Sequence, residues 1–329
     1  MKILYGIQGT GNGHLTRAME LIPHLQQKGD VEILISGEQY DLPLTIEPNY
    51  RMKGLYFVFG KNGGIDLKAT FNKINSFRFI KEIRNFPIEK YDLVISDFEP
   101  VSAWACNRAN KNCIGLSNQA ATLHPLAPKP KTFDPLGKLI LEYYAPTTVC
   151  YGFHFKKLSP QIFTPIIRKE VRALKPENNG HFTVYLPSYD DTKIIKHLKK
   201  FDHLKWQVFS KHCKKAYKVK NIQVHPIQGQ LFMNSIASAS GIISNAGFGA
   251  TSEALFLGKK LLVIPMKNQY EQQCNAAMLK SMGVATMKSM KSKHHAILEE
   301  WVDAGQVVKV DYKDQSAAIV DTILKNHKF

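Results

Sequence analysis

Residues 244–275 read SNAGFGATSEALFLGKKLLVIPMKNQYEQQCN, and this block indicates how the C-terminal part of the chain folds. The apolar run at 241–244 is typical of a buried strand and leads into a glycine-rich turn at 245–249. Helix periodicity follows up to Gly258, a residue type that often ends helices, and 261–264 then has the pattern of a strand. The block therefore predicts strand, turn, helix and strand in sequence, as in a parallel α/β sheet.

The same alternation extends over the rest of the chain. Strands are predicted at 2–7, 31–36, 55–59, 92–96, 113–117, 182–186, 205–210, 222–225, 241–244 and 261–264. Helices are predicted at 15–28, with a kink at Pro23, and at 71–85, 101–109, 190–201, 231–239, 249–257, 271–282 and 294–304. The proline-rich stretch 120–135 is predicted to be a loop, and the irregular stretch 158–179 a linker.

This pattern predicts an α/β protein with two Rossmann-like parallel-sheet domains that face a cleft. We expect an N-terminal acceptor-side domain at 1–157, a C-terminal donor domain at 158–312, and a last helix at 313–329 that returns to the first domain. In such sheets ligands bind beyond the carboxyl ends of the strands, so the cleft is the expected site.

The composition limits the kinds of protein that the chain can be and the partners that it can bind. The chain of 329 residues has no run of the roughly 18 apolar residues that span a membrane, and it starts with a strand pattern instead of a signal peptide. Five scattered cysteines without metal-site spacing favour a cytoplasmic protein without disulfides or zinc. The net charge of +17, concentrated between Lys193 and Lys220, fits a solvated surface, an anionic membrane surface or nucleic acid. No nucleic-acid-binding motif accompanies it.

A second glycine-rich loop, with Gly9, Gly11, Asn12 and Gly13, joins the first strand to the first helix. Such a loop lets a ligand approach the backbone closely. One interpretation is a dinucleotide site, in which Glu38 would bind the ribose, and another is a turn with a purely structural role. The third glycine comes one residue too early for the dinucleotide fingerprint.

His14 follows this loop at a helix start, where the helix dipole disfavours the imidazolium cation. A neutral imidazole at about pH 7 can act as a general base, although a structural hydrogen bond is the alternative. Asp97 and Glu99 follow a neighbouring strand and lie at the same sheet edge. Either carboxylate could orient His14, and either could instead cap the next helix.

In the C-terminal block, the helix start at 247–251 offers free N–H groups to a diphosphate. Glu253 can accept hydrogen bonds from both ribose hydroxyls, and the polar turn with Gln269, Glu271, Gln272 and Gln273 is suited to sugar hydroxyls.

The block resembles the donor-nucleotide motif of GT-B glycosyltransferases, particularly the family 28 group of the peptidoglycan lipid-linked N-acetylglucosaminyltransferase. The resemblance implies that Asn245, Gly247, Phe248, Gly249 and Thr251 lie at the donor diphosphate, Glu253 at the ribose, and Gln272 and Gln273 at the sugar. It also implies that the first glycine loop lies on the acceptor side, where we add Gln119. Glu271 stands where the family often has aspartate.

The hypothesis from these motifs is inverting transfer from a nucleotide-diphosphate sugar, and the resemblance implies uracil as the usual nucleobase of the donor. His14 would be the base, assisted by Asp97 or Glu99. No Asp-x-Asp motif occurs, so we expect neither a metal nor another cofactor. A lipid-linked or glycan acceptor and attachment to the inner membrane face would fit the charge. The alternatives are a nucleotide-sugar 2-epimerase of the same architecture and a non-catalytic nucleotide-sugar-binding protein.

Overall fold

The computed structural model describes residues 1–39, 46–55, 76–131 and 134–327. Within these ranges the strands are β1 (Lys2–Thr10), β2 (Asp30–Gln39), β3 (Tyr50–Met52), β4 (Leu93–Asp97), β5 (Ile114–Ser117), β6 (Val149–Phe153), β7 (Ile162–Phe163), β8 (His181–Tyr185), β9 (Lys205–Ser210), β10 (Tyr217–Val219), β11 (Ile222–Pro226), β12 (Gly241–Ser244), β13 (Lys260–Val263) and β14 (Ala285–Thr286).

The α-helices of the described ranges alternate with these strands. They are α1 (Asn12–Gln26), α2 (Ser76–Asn85), α3 (Pro100–Arg108), α4 (Asn118–Leu123), α5 (Pro135–Tyr143), α6 (Lys169–Arg172), α7 (Asp191–Leu198), α8 (Gly229–Ser238), α9 (Phe248–Phe256), α10 (Tyr270–Ser281), α11 (His295–Ala304) and α12 (Ser316–Asn326).

The strands form two seven-stranded sheets with the orders β3-β2-β1-β4-β5-β6-β7 and β10-β11-β9-β8-β12-β13-β14. Every pairing is parallel except that of β10 with β11. In each sheet the strand order reverses beside the first strand, between β1 and β4 and between β8 and β12. The loops that follow these strands therefore lie at the positions where doubly wound sheets bind ligands.

Both sheets are covered on both faces, which explains their continuous apolar runs. Along β1, Ile3, Tyr5 and Ile7 pack with α1 on one face, whereas Leu4 packs with α3 on the other. Along β13, Leu261 and Leu262 likewise point into different clusters. This alternation follows from the two-residue period of a strand.

The last helix, α12, contributes to the core of the first sheet. Ile319, Val320 and Ile323 lie in the same buried cluster as Leu21 and Leu25 of α1. The C-terminal end of the chain therefore packs on the N-terminal half.

Most predicted elements are confirmed, and the strands at 205–210 and 241–244 have the predicted bounds. Helix α1 begins three residues earlier than predicted, at Asn12, and continues through Pro23. The predicted loop at 120–135 is wrong at its start, because α4 extends to Leu123. The predicted strand at 55–59 lies outside the described residues after Leu55, as do residues 71–75 of the helix predicted at 71–85.

Candidate active site

His14 lies in the first turn of α1, directly beyond the carboxyl end of β1. The turn into the helix is made by Gly11, whose φ of 86° lies in the left-handed region that glycine adopts readily. The His14 side chain is buried, and its Nδ1 lies 2.7 Å from Oδ1 of Asp97 at the end of β4. The structure thus brings together His14 and Asp97, which are 83 positions apart in sequence.

Asp97 is fully buried and carries its charge in a dry environment. Burial alone would raise the pKa of Asp97, but the nearby Arg17 guanidinium and His14 lower it below its ordinary value. Asp97 is therefore an ionised carboxylate that accepts hydrogen bonds, and His14 can donate its Nδ1–H to it.

Glu99 does not reach the imidazole, which corrects the alternative in which it orients His14. Its Oε1 and Oε2 accept the backbone N–H groups of Val101 and Ser102, each at 2.6 Å, and so cap α3. Burial raises the pKa of Glu99. Of the two carboxylates that follow β4, Asp97 is the partner of His14 and Glu99 is the helix cap.

A cleft opens on the free side of the His14 ring and is lined by both halves of the chain. Gln119 of α4 places its Nε2 3.5 Å from Nε2 of His14 and donates to Glu271 of α10 at 2.9 Å. Asn118 also donates to Glu271, at 2.7 Å. The cleft is thus closed at one end by hydrogen bonds between the two halves.

The apolar wall of this cleft includes Phe98, Ile140, Leu141 and Tyr144. The Phe98 ring stacks on that of Tyr144 with 4.8 Å between centroids. Phe98 has a φ of 55°, a left-handed conformation that costs a non-glycine residue roughly 1–3 kcal/mol. The stacking on Tyr144 holds the Phe98 ring at the wall of the cleft in spite of this cost.

The glycines of the first loop differ in what they do. A Cβ on Gly9 would meet the carbonyl oxygen of Gly37 at 2.6 Å, so Gly9 is required where β1 packs against β2. Gly13 is exposed and has open space around it, and Asn12 is half-buried at the helix start. A ligand can therefore approach the backbone closely at Gly13, whereas Gly9 is needed for the close packing of β1 against β2.

The second glycine turn lies opposite the first. It leads from β12 into α9, whose N-cap is Gly247 and whose first turn has no side-chain cap. A Cβ on Gly249 would lie 3.9 Å from the Cα of Gly13, so the starts of α1 and α9 approach each other closely. No described side chain caps the backbone N–H groups at the start of α9, so they are available to an anion close to the first glycine loop.

Three of the predicted donor residues are used by the fold itself. The Asn245 side chain donates to the Ile264 carbonyl at 2.7 Å and accepts from Ser188 at 2.9 Å. The Thr251 hydroxyl donates to the Gly247 carbonyl at 2.7 Å, and the Phe248 ring packs on Phe155. These three side chains shape the turn, and its backbone is left to face a ligand.

Glu253 is buried on α9 and forms a two-pronged ion pair. Its Oε1 and Oε2 accept from Nε and Nη2 of Arg168 at 2.7 and 3.0 Å. Burial alone would lower the pKa of Arg168, but the Glu253 carboxylate raises it. The predicted ribose ligand is thus held in place by an arginine from the segment that joins the two halves.

Gln272 and Gln273 lie in the first turn of α10. Oε1 of Gln272 accepts the backbone N–H of Met266 at 3.1 Å, which fastens the polar turn to the helix. Gln269 caps the helix by accepting the N–H of Gln272. Gln273 is half-buried.

Two arginines of the site, Arg17 and Arg168, were not predicted from the sequence. Arg17 lies one helical turn after His14, so the spacing Gly13-His14-x-x-Arg17 was a usable signal. Arg168 lies within the predicted linker at 158–179, where no periodicity marks it. Within the described ranges, no helix is long and apolar enough to cross a membrane, and no three His, Cys, Asp or Glu side chains are grouped to hold a metal ion.

Comparisons with known proteins agree with this architecture. The family described as Glycosyl transferase family 1 matches residues 1–304. An uncharacterized glycosyltransferase of Methanosarcina mazei is 24% identical, and the match covers 91% of this chain and 88% of the relative.

Solved structures show the same fold at low identity. MurG of Acinetobacter baumannii has a TM-score of 0.56 at 14% identity, over 98% of this chain and 99% of its own. UGT89C1 of Arabidopsis thaliana, complexed with UDP, has a TM-score of 0.58 at 11% identity, and the match covers 98% of this chain and 100% of UGT89C1. SnogD, a glycosyltransferase from Streptomyces nogalater, has a TM-score of 0.54 at 12% identity, and the match covers 98% of this chain and 99% of SnogD.

Proposed function

Because the chain belongs to glycosyl transferase family 1, and is a glycosyltransferase of GT-B fold, we propose that it transfers a sugar from a UDP-sugar to an acceptor hydroxyl. In this proposal the transfer inverts the anomeric carbon and requires no metal ion.

The proposed reaction is a single displacement. The acceptor oxygen attacks the anomeric carbon while its proton passes to Nε2 of His14, and the bond from that carbon to the diphosphate oxygen breaks. The electron pair leaves with the nucleoside diphosphate, whose charge is stabilised by the N–H groups of α9. His14 then releases the proton to solvent as the products leave.

The observation that carries this proposal is that His14 lines a cleft between the halves while the start of its helix lies close to the uncapped start of α9, where a Cβ on Gly249 would lie 3.9 Å from the Cα of Gly13. Nδ1 of the same ring is held by Asp97. A base and an anion-binding helix start are therefore adjacent, as displacement of a diphosphate requires. The UDP bound to the Arabidopsis protein and the family 28 resemblance support UDP as the nucleotide of the donor.

A thermal-shift screen of nucleoside diphosphates and nucleotide sugars tests the donor. At a hundredfold excess over Kd, the correct compound is expected to raise Tm by on the order of 5 °C, because it binds only the folded protein. UDP compounds should outperform ADP, GDP and dTDP compounds. A shift with none of them, or with NAD(H) alone, would contradict the proposal.

Turnover then separates transfer from its rivals. A donor that is consumed only with an acceptor indicates transfer, epimerised donor without acceptor indicates a 2-epimerase, and binding without turnover indicates a sensor. Proton NMR of the first product gives the anomeric configuration, and turnover in EDTA tests the absence of a metal requirement. Retention, or loss of activity in EDTA, would contradict the finer proposal.

We also propose that the acceptor is a lipid-linked or glycan alcohol reached at the inner face of a membrane. Helix α5 buries none of its residues and exposes Leu136, Leu139 and Tyr143, while its Ile140 and Leu141 line the cleft. The net charge of +17 adds attraction to anionic lipid. The protein should sediment with anionic vesicles at low salt and not with neutral ones, and failure to sediment would contradict the attachment.

A further inference from the structure

Two amide side chains of the N-terminal half hold a carboxylate of the C-terminal half across the cleft. Nδ2 of Asn118 donates to Oε1 of Glu271 at 2.7 Å, and Nε2 of Gln119 donates to Oε2 at 2.9 Å. Asn118 and Gln119 are buried, so both amides are largely shielded from water. We call these three side chains the clasp. Hydrogen bonds to a carboxylate are roughly twice as strong as neutral ones, so the clasp favours the closed cleft.

The clasp joins the ligand-binding edges of the two sheets. Asn118 and Gln119 open α4 directly after β5, and the Ser117 hydroxyl caps this helix by accepting the N–H of Ala120. Glu271 lies in the first turn of α10, which the Gln269 side chain caps. Each side of the clasp is therefore fixed on a capped helix start. The clasp can form only when these two helix starts lie at one particular distance from each other.

Asn118 also connects the clasp to the residues around Asp97. Its Oδ1 lies 3.4 Å from both Nη1 and Nη2 of Arg17, and Nη2 of Arg17 donates to Oδ1 of Asp97 at 2.5 Å. A carboxylate only accepts and a guanidinium only donates, so the Asn118 amide satisfies both neighbours in just one orientation. A chain of polar contacts thus runs from Glu271 through Asn118 and Arg17 to Asp97, and it links the donor half to the acceptor half.

Other contacts across the cleft are close approaches without polar partners. A Cβ on Gly137 of α5 would lie 2.5 Å from the Cβ of Tyr270, and a Cβ on Gly249 would lie 3.9 Å from the Cα of Gly13. Apolar contacts of this kind have no preferred direction, whereas hydrogen bonds restrict both distance and angle. The clasp is therefore suited to fix how the two halves are seated on each other.

We propose that Asn118 and Gln119 are positioning residues, which act through Glu271 to seat the acceptor half against the donor half in the arrangement that sugar transfer requires. The inference rests on the proposed function, in which the attacking oxygen and the anomeric carbon are held by opposite halves. A misplacement of about 1 Å can cost about 10²-fold in rate, so a loosened clasp lowers turnover even when both substrates are bound.

The seating of the halves can be measured without turnover. Cys150 of β6 is exposed and the other four cysteines are buried, so a spin label at Cys150 and another at Lys218→Cys of β10 report the distance between the halves by double electron–electron resonance. Asn118→Asp places a second carboxylate against Glu271 and should lengthen or broaden this distance distribution. Adding Glu271→Gln restores an amide–carboxylate pair with the roles exchanged, and it should return the distribution to that of the unsubstituted protein.

The exchange preserves the other contacts of the clasp. The new amide at position 271 can donate to position 118 and still accept from Gln119, while the new carboxylate at 118 still accepts from Arg17. Asn234→Asp on the exposed side of α8 adds the same charge outside the cleft, so it is the matched control and should leave the distance unchanged.

Asn118→Ala guards against a charged variant that fails to fold, because it removes one arm of the clasp without adding a charge. It should also broaden the distance distribution. A distribution that stays the same in both Asn118 variants, or a change that the exchange does not reverse in folded protein, would overturn the proposal.

Turnover tests the consequence for the reaction. Asn118→Asp should lower kcat by about 10- to 100-fold. The Kd of UDP should stay within a few-fold of the wild type, because the proposed nucleotide contacts lie on α9. A general loss of folded structure would weaken UDP binding as well, so this difference separates positioning from a merely structural role.

The two readouts separate the proposals. If the wild type transfers no sugar but the distances respond as expected, the proposed reaction fails and the seating of the halves by the clasp stands. If transfer is found and kcat in Asn118→Asp equals that of the wild type although the distance changes, the positioning role is refuted while the function stands.

Discussion

Replacing His14 with alanine is expected to lower kcat by roughly 10²–10⁴-fold while the Kd of the donor nucleotide stays within a few-fold of the wild type. The ring is the only described side chain that combines a nitrogen facing the cleft with a buried carboxylate behind it. Its loss removes the acceptor of the proton but leaves the start of α9 and Glu253 unchanged. The measurement is steady-state transfer together with nucleotide binding on the same protein.

His24→Ala is the matched control for this experiment, because His24 lies in the last turn of the same helix. It should keep kcat near the wild-type value. A His14→Ala protein that folds, binds the nucleotide and retains kcat within about tenfold would refute the base assignment. A protein that loses nucleotide binding as well would show that His14 acts on the donor and not on the acceptor proton.

The sequence predicted those parts of the fold that depend on local pattern. The apolar runs of β1 and β12, the glycine turns behind them and the left-handed Gly258 after α9 all follow from backbone and packing rules that act over a few residues. Helix α4 was missed because its start depends on one capping hydroxyl, Ser117, in a stretch dominated by prolines. Short edge strands such as β7 carry too few residues to show a period.

Site residues could be predicted only where they belong to a short motif whose position in the fold is known. His14 and Glu253 follow glycine turns, so their positions at the sheet edge could be inferred. The choice between Asp97 and Glu99 could not, because the left-handed Phe98 between them directs Asp97 to His14 and Glu99 to the N–H groups at the start of α3. Arg17 and Arg168 act through partners 80 and 85 positions away, a distance that no local pattern reports.

Replacing Glu253 with glutamine is expected to weaken UDP binding by about 10- to 100-fold, because a hydrogen bond to a charged group contributes roughly 1.5–3 kcal/mol. Both carboxylate oxygens of Glu253 accept hydrogen bonds from Arg168. Each oxygen has a second lone pair, so Glu253 can hold the arginine and two ribose hydroxyls together. Arg168 would then orient the carboxylate and need not leave when the donor binds.

The substitution also leaves the Arg168 charge without its partner in a largely buried place, so a loss of folding stability could be mistaken for a loss of binding. A ligand that lacks a hydroxyl separates the two effects. Wild-type protein should bind UDP more tightly than 2′-deoxy-UDP, and Glu253→Gln should bind them about equally, whatever its Tm. The double variant Glu253→Gln/Arg168→Met, which carries neither charge, should fold and also fail to discriminate. If both variants still bind UDP more tightly than 2′-deoxy-UDP, the ribose does not bind at Glu253. A carboxylate that contacts the ribose diol must lose affinity when one of the two hydroxyls is removed.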